Sequence, residues 1–285
     1  MNIHNEDINC KECGKRLKRG TLYCTRCHIW NVGASGFDFD QHTVLLSDAS
    51  ITNVERIQTD GLVDHIFGGG IATTSVNLLA GEPGSGKTTL CLQLADWVAT
   101  LTGKEALYIA NEQDASELKD TGKRLNLKNP KLIRVVKGMG GLTFDLGELL
   151  MRFKPCLIVL DSVTKWSGED LEMQVVICQR LKDYSVALKA PSIVVNQVTK
   201  GGDHAGLNKM QHAVDMCSLF EVLHENEVEI SSKKTLRRLW STKNRFGPAP
   251  EEQFYAMTPT GLIVIPKEQA EEENLDDEEE PSESE

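Results

Sequence analysis

Between about Val54 and Pro266 the chain alternates short apolar runs with longer stretches of helical periodicity. Val76–Ala80, Ala106–Ala110, Cys156–Leu160 and Ser192–Val195 are short and rich in β-branched residues or leucine, which fits strands. Leu90–Leu101, Ala115–Leu125 and Leu171–Leu188 between them read as helices. The alternation predicts an α/β fold in which helices cover both faces of a mostly parallel sheet. In that sheet Ala106–Ala110 is expected beside Val76–Ala80. Outside this domain (54–266) lie a cysteine-bearing module (1–31), a linker with Gly and Asp (32–53) and an acidic tail (267–285). The tail is nearly all Glu, Asp, Ser and Asn, so disorder is expected there. No internal repeat is visible.

Charge changes the picture less than the net value of -11 suggests. Eleven acids and no Lys or Arg fall within Glu268–Glu285, and the first 267 residues hold 31 acids and 31 bases. Bulk charge therefore gives no evidence for nucleic-acid binding. No apolar run approaches the roughly 18 residues of a membrane span. Met1–Asn9 carries acids and no apolar stretch, unlike a signal peptide. The expected location is the cytoplasm.

Cys10, Cys13, Cys24 and Cys27 form two C-x2-C pairs, a spacing that can present four thiolates tetrahedrally to one Zn²⁺. The segment between the pairs holds glycines and bases with few apolar residues, so metal binding is expected to supply its folding energy. A redox pair or two disulfides are the alternatives, and a reducing compartment disfavours disulfides. Cys91, Cys156, Cys178 and Cys217 sit among apolar neighbours and read as small buried hydrophobes.

After the strand Val76–Ala80 comes Gly81-Glu82-Pro83-Gly84-Ser85-Gly86-Lys87-Thr88, a full G-x-x-x-x-G-K-[ST] match in strand–loop–helix context. Backbone N–H groups of this loop and the N-terminus of the helix from Thr89 onward suit nucleotide phosphates. Lys87 is expected on the β- and γ-phosphates of ATP and the Thr88 hydroxyl on Mg²⁺. Asp161, ending the apolar run Cys156–Leu160, is the expected second carboxylate on the magnesium side. A helix N-cap at Asp161 is compatible with that role. Glu112, just past Ala106–Ala110, is expected to face the γ-phosphate and activate water; an exposed loop glutamate is the alternative.

These residues resemble the RecA-like ATPases, and within them the bacterial RadA/Sms recombination proteins, over roughly residues 8–265. The resemblance is carried by the zinc spacing ending in Trp30-Asn31 and by Asp64-His65-Ile66-Phe67-Gly68-Gly69-Gly70. Tyr108-Ile109-Ala110-Asn111-Glu112, Asp161-Ser162-Val163-Thr164 and His212-Ala213-Val214-Asp215 fall at matching intervals. Lys243-Asn244-Arg245-Phe246-Gly247 reproduces the family's five-residue signature unchanged. The resemblance implies a RecA-like P-loop ATPase core with ATP, Mg²⁺ and Zn²⁺ as cofactors. It implies a DNA-dependent ATPase, a helicase-like motor of homologous recombination and DNA repair that binds single-stranded DNA and promotes branch migration on branched DNA. The alternatives are a nucleotide-switched adaptor that loads or restrains a RecA-type recombinase, or a replicative-helicase-like unwinder. It also implies a homo-oligomeric ring, of hexameric type in the family.

Three departures stand out. The chain ends soon after Ile263-Val264-Ile265-Pro266, where family members continue into a Lon-protease-like domain, so a shortened member is expected. Asn196-Gln197 replaces the family's Gly-His, which makes Gln197 similar to the γ-phosphate sensor of RecA itself. Gln174-Val175-Val176 carries valine where the family has a base. Alternation puts Lys243 and Arg245 on one face of an extended segment with Asn244 opposite. The resemblance implies that this pair reaches a neighbour's ATP as an arginine finger.

DNA contacts are expected at Lys200 and Lys209, in and after the glycine-rich loop that in the family faces the central channel. A second basic cluster comprises Lys233, Lys234, Arg237 and Arg238 beside the pentapeptide, with a solvated hairpin as the alternative. The zinc module adds Lys11, Lys15, Arg16, Lys18, Arg19 and Arg26, suited to DNA or a partner protein, and Trp30 can stack on a base or cover the knuckle.

Overall fold

The computed structural model describes residues 9–17, 23–30, 44–48, 53–137, 146–168, 170–198, 204–223, 235–249 and 251–267. Lys18, Arg19, most of the 32–53 segment, Lys200, Lys233, Lys234 and the Glu268–Glu285 tail lie outside them. The chain divides into two compact units, Met1–Asn53 and Val54–Glu285.

In the first unit β1 (Tyr23–Cys24) and β2 (Ile29–Trp30) pair as a short antiparallel ribbon. The turn between them is closed by the His28 N–H donating to the Cys24 carbonyl at 2.8 Å. Leu17 is buried against Cys10 and Cys24, the only aliphatic residue of that small cluster among the described residues.

In the second unit, the short strands β3 (Arg56–Ile57) and β4 (Ile71–Ala72) pair ahead of the main sheet. Then follow β5 (Val76–Gly81), α1 (Lys87–Thr102), β6 (Ala106–Ala110), α2 (Ala115–Arg124) and β7 (Ile133–Lys137). The chain continues through α3 (Leu146–Phe153), β8 (Leu157–Asp161), α4 (Val163–Ser167), α5 (Leu171–Leu188), β9 (Ser192–Gln197) and α6 (His204–Ala213). It closes with β10 (Met216–Val222), β11 (Thr235–Asn244), β12 (Glu252–Thr258) and β13 (Gly261–Ile265). Nine strands form one sheet in the order β13-β12-β11-β10-β5-β9-β8-β6-β7. From β10 to β7 every pairing is parallel, while β11, β12 and β13 extend the sheet as an antiparallel meander.

Side-chain alternation divides the core between the two faces of the sheet. Leu79, Tyr108, Val159 and Val195 pack against α1 and α2, among Leu90, Leu94, Val98 and Leu118. Val76, Leu78, Ile109, Ile158 and Val194 face the other way, onto Leu150 of α3, Ile177 and Leu181 of α5 and Met210 of α6. Cys91, Cys156, Cys178 and Cys217 are all buried and free.

One topological expectation fails. β6 does not neighbour β5: its partners are β8 and β7, and β9 and β8 stand between it and β5. The α1 crossover skips two strand positions that later segments of the chain fill, which no local pattern reveals. Because the strands are parallel, the C-terminal ends of β5, β9, β8 and β6 nevertheless share one edge of the sheet. That edge is where open α/β folds place their ligands.

Candidate functional site

The phosphate-loop sequence turns from β5 into α1. Gly81 packs so closely on β10 that a Cβ there would run into the Phe220 carbonyl oxygen. Gly86 holds φ 105° as the N-cap of α1, a backbone conformation open to glycine. Lys87 is buried, and its ammonium donates to the carbonyls of Gly81 at 2.8 Å and Glu82 at 2.7 Å. Burial lowers its pKa, and the charges of Asp161 and Glu112 oppose that shift.

Asp161 ends β8 with only 4% exposure. Its Oδ2 accepts from the Thr88 hydroxyl at 2.9 Å and from the Tyr108 hydroxyl at 2.6 Å. Burial raises the Asp161 pKa, while the two hydroxyl donors pull it back down. Two of the expected magnesium-side groups, Thr88 and Asp161, are thus brought into contact. Tyr108 is a site residue that the motifs do not point to. Its signal was a phenol inside an aliphatic strand, where a buried O–H demands an acceptor. The N-cap of α4 is Ser162, whose Oγ accepts from the Lys165 N–H, so the capping role considered for Asp161 belongs to its neighbour.

Glu112 follows β6, held in place by the Asn111 N–H donating to the Asp161 carbonyl at 2.7 Å. The Gln197 amide, at the end of β9 and in register with Gly81, donates to Glu112 Oε2 at 2.7 Å. Glu112 therefore meets the edge of the loop strand through Gln197, although its own strand lies elsewhere in the sheet.

The pentapeptide begins within β11. Lys243 donates to the carbonyls of Gln211 and Val214 at 2.5 and 2.7 Å, at the C-terminal end of α6, where a cation complements the helix dipole. Arg245 sits 3.5 Å from Asp215 Oδ1, with its side chain 56% exposed. Asn244 points away and donates to the Ile66 carbonyl at 3.2 Å. This is the alternation expected of the segment. Asp215 also accepts from Lys182 at 2.6 Å and from the Val76 N–H at 2.9 Å, so it ties the pentapeptide to the start of β5.

Of the second basic cluster, Lys233 and Lys234 lie outside the described residues. Arg238 pairs with Glu221 and lies 3.7 Å from Glu252. Arg237 is 7% exposed and donates Nε–H to the Ser85 carbonyl at 2.9 Å. It is neither a surface DNA contact nor part of a solvated hairpin, because the β11 pleat turns it inward under the phosphate loop. Lys209 forms an ion pair with Glu172, and Lys200 lies outside the described residues.

In the first unit, sulfur atoms of Cys10, Cys13, Cys24 and Cys27 all lie within 4.8 Å of one another. The Cys10–Cys27 and Cys13–Cys24 separations are 3.5 Å, far beyond the roughly 2.05 Å of a disulfide bond. A tetrahedral site with Zn–S of about 2.3 Å places its sulfurs somewhat under ~4 Å apart, so the four thiols fit zinc. Backbone N–H donation from Cys27 lowers the Cys24 pKa, whereas burial pushes the Cys27 thiol up to about 12. A cation among the four sulfurs would favour their thiolates.

A family model described as "ATPase: KaiC" matches residues 57–137. The chain is similar to the DNA repair protein RadA of Aquifex aeolicus, with 31% identity over 90% of the chain and 59% of that relative. It is likewise similar to the proteins of the same name from Haemophilus influenzae (31%) and Chlamydia pneumoniae (29%), each over 90% of the chain and 58% of the relative. The chain thus spans a little under three-fifths of the length of these relatives. Among solved structures, the KaiC-like protein PH0186 of Pyrococcus horikoshii superposes with a TM-score of 0.58 at 17% identity, covering 75% of this chain and all of that one. Among the described residues no helix is long and apolar enough to cross a membrane. The sequence kinship with these DNA repair proteins thus runs along nine-tenths of the chain, and the α/β fold beneath it agrees with that of the KaiC-like structure.

Proposed function

We propose that the chain hydrolyses ATP and couples hydrolysis to work on DNA during recombination and repair. The observation that carries the reading is the Thr88–Asp161 contact at the mouth of the phosphate loop, with Glu112 and Gln197 beside it. A Mg²⁺ ion bound there would offset the negative charge of the phosphates. Thr88 and Asp161, already in contact, are the residues that would hold it. Lys87, which here donates to the Gly81 and Glu82 carbonyls, turns to the phosphate oxygens when nucleotide binds. Glu112 takes a proton from the attacking water, and Gln197, hydrogen-bonded to Glu112, registers the γ-phosphate. Such a residue acts on the water alone, while Lys87 also binds the ground state. Similarity to proteins named for DNA repair supports DNA as the substrate, with single strands and branch migration as the finer reading.

The test is ATP turnover with and without single-stranded DNA. Lys87→Ala should lose nucleotide binding, and Glu112→Gln should bind ATP but lose at least about tenfold in kcat. Strong stimulation by DNA together with displacement of a labelled branch supports the motor. Slow, DNA-indifferent turnover with capture of a recombinase would replace it with the adaptor. Wild-type turnover by Glu112→Gln would remove that residue from the chemistry.

A further inference from the structure

Arg237 is a buried cation that the nucleotide chemistry above does not use. Its Nε–H donates to the Ser85 carbonyl at 2.9 Å and its Nη1 to the Leu236 carbonyl at 3.0 Å. Among the described residues no carboxylate pairs with it. A guanidinium taken out of water without a counter-ion is costly unless something anionic or strongly polar faces it. What it faces is the backbone of the phosphate loop, at Ser85, which is itself fully buried.

That single contact has a geometric consequence. A trans peptide is planar, and its C=O and N–H point in opposite directions. Holding the Ser85 carbonyl toward β11 therefore turns the Gly86 N–H the other way. Among the described residues no acceptor answers the Gly86 N–H, whereas the Gly86 carbonyl already accepts from Leu90 at the start of α1. Gly86, at φ 105°, lacks a side chain that would resist the rotation, so the peptide needs an external hold. A loop whose amides must point at phosphate oxygens would otherwise lose that orientation to rotation of this one unit.

We propose that Arg237 is a positioning residue of the phosphate loop: by holding the Ser85 carbonyl it aims the Gly86 N–H at the phosphates of a bound nucleotide. The proposal rests on the reading of the loop as an ATP site. It assigns Arg237 no contact with the nucleotide. Its effect should depend on the phosphate chain and not on the base, and it should fall on binding more than on the chemical step.

The experiment measures Kd for AMP, ADP and ATP on the full chain and on Arg237→Met and Arg237→Lys. Methionine keeps the aliphatic bulk and removes every donor, while lysine keeps one charged donor. Arg237→Met should weaken ADP and ATP by a common factor of about tenfold and AMP by clearly less, because AMP lacks the β-phosphate that the loop amides help to cradle. Arg237→Lys should recover most of the loss. KM for ATP should rise with kcat largely kept. In ¹⁵N-glycine-labelled protein, the Gly86 amide resonance should move on ADP binding in wild type and fail to move in Arg237→Met at saturating ADP. Unchanged ADP and ATP affinities would overturn the proposal, as would equal losses for all three nucleotides. If Arg237→Met does not fold, the same AMP-to-ADP ratio on Arg237→Gln decides. A wild-type chain that binds neither ADP nor ATP would instead overturn the nucleotide reading.

Discussion

Gly68 and Gly247 meet backbone to backbone: a Cβ on Gly247 would lie 2.8 Å from the Gly68 Cα, and one on Gly68 would lie 2.9 Å from the Gly247 Cα. Arg56 reinforces the junction, donating to the Phe67 and Gly70 carbonyls at 3.0 and 3.2 Å and to the Phe246 carbonyl. The three-glycine segment and the pentapeptide, about 180 residues apart in sequence, therefore form one structural unit. Gly247→Ala should destabilise the domain by about 1–3 kcal/mol, the usual cost of forcing a methyl into a closed contact. The shift in denaturant midpoint reads this directly. A midpoint within error of wild type would show that the two segments separate easily.

Arg245 is expected to act across a subunit boundary. It is more than half exposed, and its tie to Asp215 is long at 3.5 Å, whereas Lys243 is held by two carbonyls of its own chain. Arg245→Ala should abolish DNA-stimulated hydrolysis and leave nucleotide binding largely intact. Mixing Arg245→Ala with Lys87→Ala subunits, each inactive alone, should restore part of the activity. Mixed assemblies that stay inactive would confine Arg245 to its own subunit.

Asp161 should make the nucleotide-free protein pH-sensitive. Burial raises its folded pKa above the unfolded value, so the folded state binds the proton more tightly. The sign follows from linkage: stability falls as pH rises from the unfolded pKa through the folded one, and the deficit is fully present above both. Asp161→Asn should therefore melt at a higher temperature than wild type at pH 7 without nucleotide. The gain should shrink toward acid pH, where the aspartate is protonated. A gain independent of pH would assign the effect to packing. The same variant should lose Mg²⁺-dependent turnover.

The four-cysteine module should hold one Zn²⁺ per chain. Leu17 is the only aliphatic side chain clustered with the cysteines among the described residues, too little apolar burial to hold a fold alone. Cys24→Ser, which removes a buried ligand, should release the metal and unfold the residues around it while the nucleotide domain keeps its melting transition. Metal analysis of the reduced protein, followed by calorimetry before and after chelation, checks both halves. Absence of zinc from freshly purified reduced protein would refute the assignment.

How much of this was legible in the sequence depends on the range of the interaction concerned. The strand–loop–helix at Val76–Thr102, the Asp161 strand end, the helix Leu171–Leu188 and the paired cysteines are written in local patterns. Periodicity, glycine placement and ligand spacing act within a few residues, so those elements follow from short stretches of the chain. Which strands lie side by side, by contrast, depends on long-range packing. β6 reads as a strand whether it adjoins β5 or lies three positions away, because a strand buried on both faces looks the same in either place. The tertiary structure likewise decides what each polar side chain meets. Arg237 and Arg238 are adjacent in a basic run, yet the pleat sends one beneath the phosphate loop and the other to Glu221. Tyr108 finds Asp161, and Gln197 finds Glu112, only after parallel strands from distant parts of the chain bring their ends to one edge. Those contacts depend on sheet order, which is set by long-range packing of apolar faces that many strand arrangements satisfy locally and only the whole core distinguishes.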